Sequence, residues 1–236
     1  MRSLLFERGS NLIEKEVREE ICEIGRRLYR RNMVAANAGN ISCRISNDSV
    51  LITPTMVSKV GLQPQDILKI DLDGKILRGN GSPSSETYSI HLPLLKSGVG
   101  INAVVHAHPV YTSAFLLTGR GLPRAALVEM EAFFDKIKLI RFTMPGSDSL
   151  ANALLKNLKN TDAFLLANHG AVTLGANLTE AYYRMEALEH SSQILFLTRH
   201  IGKIRSIPQK EQRRFPALRK TVHSKFATPQ EKTATK

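Results

Sequence analysis

Two histidines stand two residues apart, His106 and His108, directly after the apolar run Ile101–Val105. If that run is a strand, side chains i and i+2 leave it on the same face, and two imidazoles so placed reach one cation. His169 has a similar setting, because it closes the apolar run Ala163–Ala167 and precedes Gly170. Two strand ends meeting at one sheet edge would bring three imidazoles together. Three histidines suit Zn²⁺ and leave a position open for substrate, the mark of a catalytic site. Taken singly, each histidine reads as a polar residue that ends a strand; the His-x-His pair is what argues for more. His91, His190, His200 and His223 sit in helical or tail patterns without a partner and stay outside the site. Glu86 is the fourth candidate, in the first turn of a helix that begins near Ser84. An acid there often serves only the helix dipole, and spacing alone does not bring it to the histidines.

A second group of residues suits an anion. Ser84 and Ser85 sit at a predicted helix N-terminus, where unpaired N–H groups and the positive end of the dipole attract negative charge. Gly39-Asn40 and Thr53-Pro54-Thr55 are further small loops that carry donors. None of them resembles the glycine-rich loops of nucleotide sites, and each alone reads as a cap or a turn.

The elements that must position these residues follow from periodicity. Val17, Ile21, Ile24 and Leu28 recur at helical spacing within an amphipathic helix over 11–32. Val50–Thr53 and Ile67–Asp71 read as short strands, and Asp73-Gly74 marks a hairpin into Lys75–Leu77. The helix from Ser84 runs through Leu95, with Pro93 expected to bend or shorten it. A helix follows His108 through Leu117, a strand covers Ile137–Phe142, and an amphipathic helix covers Ser147–Asn160. Ala163–Ala167 and Ala171–Leu174 are strands. Asn177 with Glu180 then opens a long helix to about His200 in a capping-box arrangement. Strands and helices interleave, but hairpins join several strands. The expected fold is therefore α/β: one three-layer domain with a mixed, mainly antiparallel sheet and helices on both faces.

Composition sets the limits. The 236 residues suit one substantial domain, and 42% hydrophobic content is ordinary for a globular protein. Cys22 and Cys43 form no metal-type pair and no disulfide framework, which points to reduced thiols. The short apolar run Leu4–Phe6 does not make a signal peptide, and no stretch is long enough to span a membrane, so a cytoplasmic protein is expected. Of the net charge of +12, only +4 falls on residues 1–202. The remainder belongs to 203–236, which holds ten Lys or Arg against Glu211 and Glu231. That tail is punctuated by Pro208, Pro216 and Pro229 and reads as partly helical or disordered. Its aromatics are limited to Phe215 and Phe226, too sparse for a nucleic-acid stacking platform. The expected organisation is a catalytic domain over 1–202 and a basic extension over 203–236.

Five motifs occur in order: Asn37-Ala38-Gly39-Asn40-Ile41-Ser42, Ile52-Thr53-Pro54-Thr55, Pro83-Ser84-Ser85-Glu86, Val104-Val105-His106-Ala107-His108-Pro109 and Asn168-His169-Gly170. Together they resemble the class II aldolase/adducin family over about residues 11–201. That family includes L-fuculose-1-phosphate aldolase, ribulose-5-phosphate 4-epimerase and methylthioribulose-1-phosphate dehydratase. The resemblance implies Zn²⁺, or another divalent ion such as Mn²⁺ or Co²⁺, held by His106, His108 and His169 with Glu86 as fourth ligand. It implies phosphate contacts from Gly39, Asn40, Thr55, Ser84 and Ser85, and a homotetramer with sites at subunit boundaries. Glu129 aligns with the acid/base of the dehydratase branch and is the second catalytic candidate beside Glu86.

Two departures bear on the substrate. Leu127 stands near the position of a tyrosine that protonates the leaving aldehyde in the fuculose-phosphate aldolases, and no tyrosine follows Tyr183. Met56 replaces the glycine that follows Thr55 in the family pattern, which would narrow the phosphate loop. The expected function is a metal-dependent aldehyde-lyase. It would reversibly cleave a ketose 1-phosphate, of fuculose or deoxypentulose type, to dihydroxyacetone phosphate and an aldehyde. The alternatives are the methylthioribulose-1-phosphate dehydratase reaction and other lyase or epimerase chemistry of the family. A non-catalytic adducin-like module is disfavoured because such relatives lack the metal histidines. No membrane or nucleic-acid partner is expected.

Overall fold

The computed structural model describes residues 2–226, with side chains described from residue 13 onward. A long helix α1 (Arg2–Arg30) leads into β1 (Asn40–Arg44) and β2 (Ser49–Ile52), then β3 (Leu68–Asp71) and β4 (Ile76–Arg78). A π-helical turn (Thr87–His91) runs directly into α2 (Leu92–Lys96), followed by β5 (Ala103–Ala107). Next come α3 (Val110–Leu117), α4 (Val128–Phe133), β6 (Ile137–Ile140), α5 (Asp148–Lys156), β7 (Ala163–Leu166) and β8 (Gly170–Gly175). The long α6 (Leu178–Ile201) and the short α7 (Gln209–Gln212) and α8 (Phe215–Phe226) complete the chain described.

The strands form one eight-stranded sheet in the order β4-β3-β2-β1-β5-β8-β7-β6. Every neighbouring pair is antiparallel except β6–β7. That one parallel pair is joined through α5, because parallel strands need a crossover connection and cannot be closed by a hairpin. The expected mixed, mainly antiparallel sheet is thus what the chain forms.

Alternation along the strands splits the core into two layers. Ile41, Leu51, Val105, Leu165 and Ala171 pack on one face with Ile21, Ile24 and Leu28 of α1 and Met185 and Leu188 of α6. Val50, Ile52, Val104, Phe164 and Val172 pack on the other, with Leu92 and Leu94 of α2 and Leu150 and Leu154 of α5. With helices on both faces, the central strand β5 is buried at every residue. His106 shares its parity with Val104, so it lies on the α2 face, as do Asn40 and Ser42 of β1.

Several expectations shift in detail. Pro93 does not break the helical run; it stands just after the π turn, in the first turn of α2. The irregularity instead precedes it as the π turn. The segment around Glu129, for which periodicity gives no element, is the short helix α4. Part of the basic tail is ordered: α8 packs on α4 and α6, with Phe215 buried and Arg219 reaching the carbonyls of Glu131 and Phe134. His223 also has partners, Arg184 and the Phe133 carbonyl. The end of the tail, 227–236, lies outside the described residues.

Candidate metal centre and anion pocket

The geometry starts from register. Asn40 of β1 lies directly opposite His106 of β5, so their side chains are cross-strand neighbours on one face. His108 follows at the strand end and His169 sits in the β7–β8 hairpin, whose turn is made by Asn168 at φ +59°. Two glycines allow the close approach. A Cβ on Gly170 would lie 2.6 Å from the His108 ring, and one on Gly39 would lie 2.8 Å from the His106 carbonyl oxygen. The helix that starts after Ser84 supplies Glu86 from above the sheet.

The donor atoms of Glu86, His106, His108 and His169 all lie within 4.8 Å of one another. The three imidazole centroids form a near-regular triangle with sides of 5.0, 4.8 and 5.0 Å. His106 Nε2 is 3.2 Å from His108 Nε2 and 3.3 Å from Glu86 Oε1, and His169 Nε2 is 3.0 Å from the same carboxylate oxygen. Zinc–ligand bonds of about 2.0–2.1 Å give a tetrahedral shell with edges of about 3.3 Å. The donor spacing therefore suits four ligands around one small divalent ion.

Protonation points the same way. His106 is fully buried and its Nδ1 lies 2.9 Å from the Ala171 carbonyl, which can only accept. Nδ1 therefore carries a proton, and Nε2 is the ring nitrogen that faces the Glu86 carboxylate. A hydrogen bond of this kind is how ligand histidines are held in the metallating tautomer. Burial pushes His108 down to about 3, with the His106 and His169 charges adding to the effect, so its imidazole is neutral. Burial pushes the Glu86 carboxyl up, but the His106 charge and hydrogen bonds from His106, His169 and Asn40 outweigh it. The net result holds Glu86 well below the usual carboxylate range. Three imidazoles and a carboxylate converging on one point are a cation's donor set.

The anion candidates gather beside it. Asn40 Nδ2 is 3.2 Å from Ser84 Oγ and 2.8 Å from Glu86 Oε2, so one amide spans both groups. The Thr55 N–H donates to the Ser82 carbonyl at 2.9 Å, which ties that loop to the segment leading into Ser84. Ser85 is exposed, and Gly146 packs against its side chain. Met56 has φ +60°, a conformation glycine adopts at no cost; the residue is 76% exposed, and its sulfur accepts from the Asn37 side chain at 3.1 Å. Glu129 is exposed in the first turn of α4 and is not in the four-residue group.

Two residues escaped sequence reasoning. Lys59 is 1% exposed and its Nζ donates to the carbonyls of Asn37 (3.1 Å) and Val57 (2.9 Å), clasping the Gly39 and Thr55 loops together. Burial pushes its ammonium down to about 8, while the Glu86 charge opposes the shift. His91, set aside as partnerless, is fully buried and bonded at both ring nitrogens, to Ser42 Oγ at 2.6 Å and Asn40 Oδ1 at 2.9 Å. No periodic signal marks either, because the His91 partners lie 49 and 51 residues away in another element and the Lys59 partners are backbone carbonyls.

The family profile described as Class II Aldolase and Adducin N-terminal domain matches residues 19–196. The chain belongs to the class II aldolase and adducin family. Within that family it is 36% identical over 182 residues to an L-fuculose phosphate aldolase from Methanococcus maripaludis, covering 77% of this chain and 97% of the relative. It is 32% identical over 206 residues to a 3-oxo-tetronate 4-phosphate decarboxylase from Haemophilus influenzae, covering 86% and 95%. Among solved structures, YgbL from Klebsiella pneumoniae superposes with a TM-score of 0.79 at 30% identity, covering 86% of this chain and 98% of that one. This class II aldolase family member is an enzyme, a lyase, and its Glu86–His106–His108–His169 group could hold a metal ion. Among the described residues, no helix is long and apolar enough to cross a membrane.

Proposed function

We propose that this chain is a zinc-dependent aldolase that reversibly cleaves a ketose 1-phosphate to dihydroxyacetone phosphate and an aldehyde. The carrying observation is the Asn40 amide, which touches the metal-type carboxylate and the anion-type serine at once. A phosphate at that serine puts the sugar carbons of a small ketose beside the histidines.

In this reading Gly39, Asn40, Thr55, Ser84 and Ser85 anchor the phosphate, which fixes the substrate and so lowers the entropic cost of reaction. Glu86, His106, His108 and His169 hold the ion, which when bound polarises the substrate ketone as a Lewis acid. In the synthetic direction Glu86 would take the proton from the dihydroxyacetone phosphate carbon that forms the new bond, and in cleavage it would give that same proton back. Glu129 handles the proton of the substrate hydroxyl. In a homotetramer with sites at subunit boundaries, its exposed place on α4 serves a neighbouring chain. Two buried free thiols, with Cys22 and Cys43 pushed up to about 11 and 12 by burial, suit a cytoplasmic enzyme. Residues 1–202 form the catalytic unit, and 203–236 a basic extension. A chain ending at Gly202 should keep its metal, and loss of metal on that truncation would contradict an accessory tail.

One observation favours a second reading. Leu127 replaces the tyrosine acid, and Glu129 lies outside the metal group. Decarboxylation of a β-keto acid such as 3-oxo-tetronate 4-phosphate needs no base for a hydroxyl proton. Its broken carbon–carbon bond leaves the electron pair on the carbon next to the ketone, and protonation there again yields dihydroxyacetone phosphate. Metal analysis and a screen of sugar phosphates for release of dihydroxyacetone phosphate test both readings. An aldehyde co-product selects the aldolase, and CO₂ selects the decarboxylase. Glu86→Gln should abolish most aldol cleavage; a mild loss would instead favour dehydration.

A further inference from the structure

His91 lies outside the ligand set, yet its surroundings are fully determined. Asn40 Nδ2 donates to Glu86 Oε2 at 2.8 Å, so the end of the Asn40 side chain that faces the carboxylate is the NH₂ group. The Asn40 oxygen therefore faces His91 Nε2 at 2.9 Å, and Nε2 must carry a proton. Burial pushes His91 down to about 3, so the ring is neutral and Nδ1 is left as an acceptor. The Ser42 hydroxyl, 2.6 Å away, donates to it. The chain of donors runs in one direction: Ser42 to His91, His91 to Asn40, Asn40 to Ser84 and Glu86.

The π turn makes this geometry available. In an α-helix, residues five apart are separated by about 140° around the axis, at about 100° per residue. Closing the turn at i+5 stacks His91 under Glu86 instead. The same turn thus presents a carboxylate to the metal group and an imidazole to the amide that steadies it. Within the functional reading above, on which this inference rests, we propose that His91 is a positioning residue. It holds the Asn40 amide in the one orientation that lets Nδ2 serve the anion pocket and the metal-site carboxylate together.

Absent that bond, the Asn40 amide is free to turn its oxygen toward Glu86, where two acceptors repel and Ser84 loses its donor. The two halves of the site are therefore coupled through a side chain that touches neither ligand. Affinity for anion and affinity for metal should change together when His91 changes, because the one amide it holds serves both Ser84 and Glu86.

The test uses the full chain loaded with Co²⁺, with inorganic phosphate as the anion probe. Co²⁺ affinity, its visible absorption spectrum, phosphate affinity by calorimetry and the melting temperature are measured for three proteins. His91→Gln keeps a donor that reaches Asn40. His91→Asn keeps an acceptor near Ser42 but is too short to reach Asn40. The expected result is that His91→Asn weakens both Co²⁺ and phosphate binding about tenfold and alters the spectrum, while His91→Gln stays within about twofold of the parent. The proposal is overturned if His91→Asn matches the parent in both affinities, or if both variants lose stability equally with no change in affinity or spectrum. Should His91→Asn not fold, Ser42→Ala replaces it, with a shift of about threefold in the same direction expected; no shift overturns the proposal. Failure of the parent chain to bind Co²⁺ would instead strike the metal reading, and this proposal with it.

Discussion

Two of the molecule's buried clusters of charged and polar side chains are built on opposite principles. At one, Arg184 is saturated. Its guanidinium pairs with Asp162 at 2.8 Å and Glu180 at 3.2 Å, and it donates to the carbonyls of Phe133 and Leu174. Asp162 in turn accepts from the backbone of Asp135 and Lys136, and the Glu180 carboxylate accepts from the Ala176 N–H. Opposite charges meet, and every guanidinium nitrogen is used. At the other, the ring nitrogens of His106, His108 and His169 crowd the Glu86 carboxylate and one another at 3.0–3.3 Å. All four converge on one point within reach of a single cation. The first cluster is complete within the chain; the second is complete only with something added. A buried polar group is thus read for function by whether its partners come from the protein or must come from outside.

The comparison can be broken most severely at the open cluster. His106→Ala, or removal of the ion with a chelator, should abolish metal binding. It should also cost several kcal/mol of transition-state stabilisation, about a thousandfold in rate. Elemental analysis and turnover check this, and an active, metal-free protein would refute the assignment. The closed cluster should respond in stability instead. Arg184→Met leaves Asp162 and Glu180 as buried, unpaired acids and should cost about 3–5 kcal/mol in a denaturant titration. The folded variant should bind as much metal as the parent, and a proportionate loss of metal would erase the distinction between the two clusters.

A smaller effect sharpens the description of the open site's inner layer. His91 is held near 3 in the folded protein against an ordinary 6.5, so it stays neutral when folded but takes up a proton on unfolding below 6.5. The unfolded state then binds more protons, so stability falls as pH drops from 6.5 toward 3. His91→Gln has no such proton to gain and should show a flatter loss of stability across that window, read by acid-induced unfolding. Equal slopes in the two proteins would mean that His91 is protonated in place. The smallest effect belongs to Met56, which holds a left-handed conformation at φ +60°. Met56→Gly removes that strain and should gain about 0.5–1 kcal/mol, a rise of a few degrees in melting temperature.

Local chemistry made much of the fold legible. The helical spacing of Val17, Ile21, Ile24 and Leu28 announces α1, the Asn177 cap announces α6, and hairpin signals announce an antiparallel sheet. The parallel β6–β7 pair was not specified beyond a mixed sheet, because pairing partners are set by long-range packing. The helices α4 and α8 were missed because short amphipathic segments rich in charge carry little periodicity of their own. Their order depends on docking against each other and α6.

The same division runs through the site. The His-x-His pair at a strand end determined by itself that two imidazoles would share a face, since strand geometry is local and has a period of two. The motif series carried His169, Glu86 and the anion loops by resemblance. Only the tertiary structure decided that those segments converge, because it places β1 opposite β5 in register and closes one helical turn with an extra residue. His91 and Lys59 became visible only there. Their roles arise from partners distant in sequence, and a buried donor is defined by where its acceptor comes to rest, which no local spacing encodes.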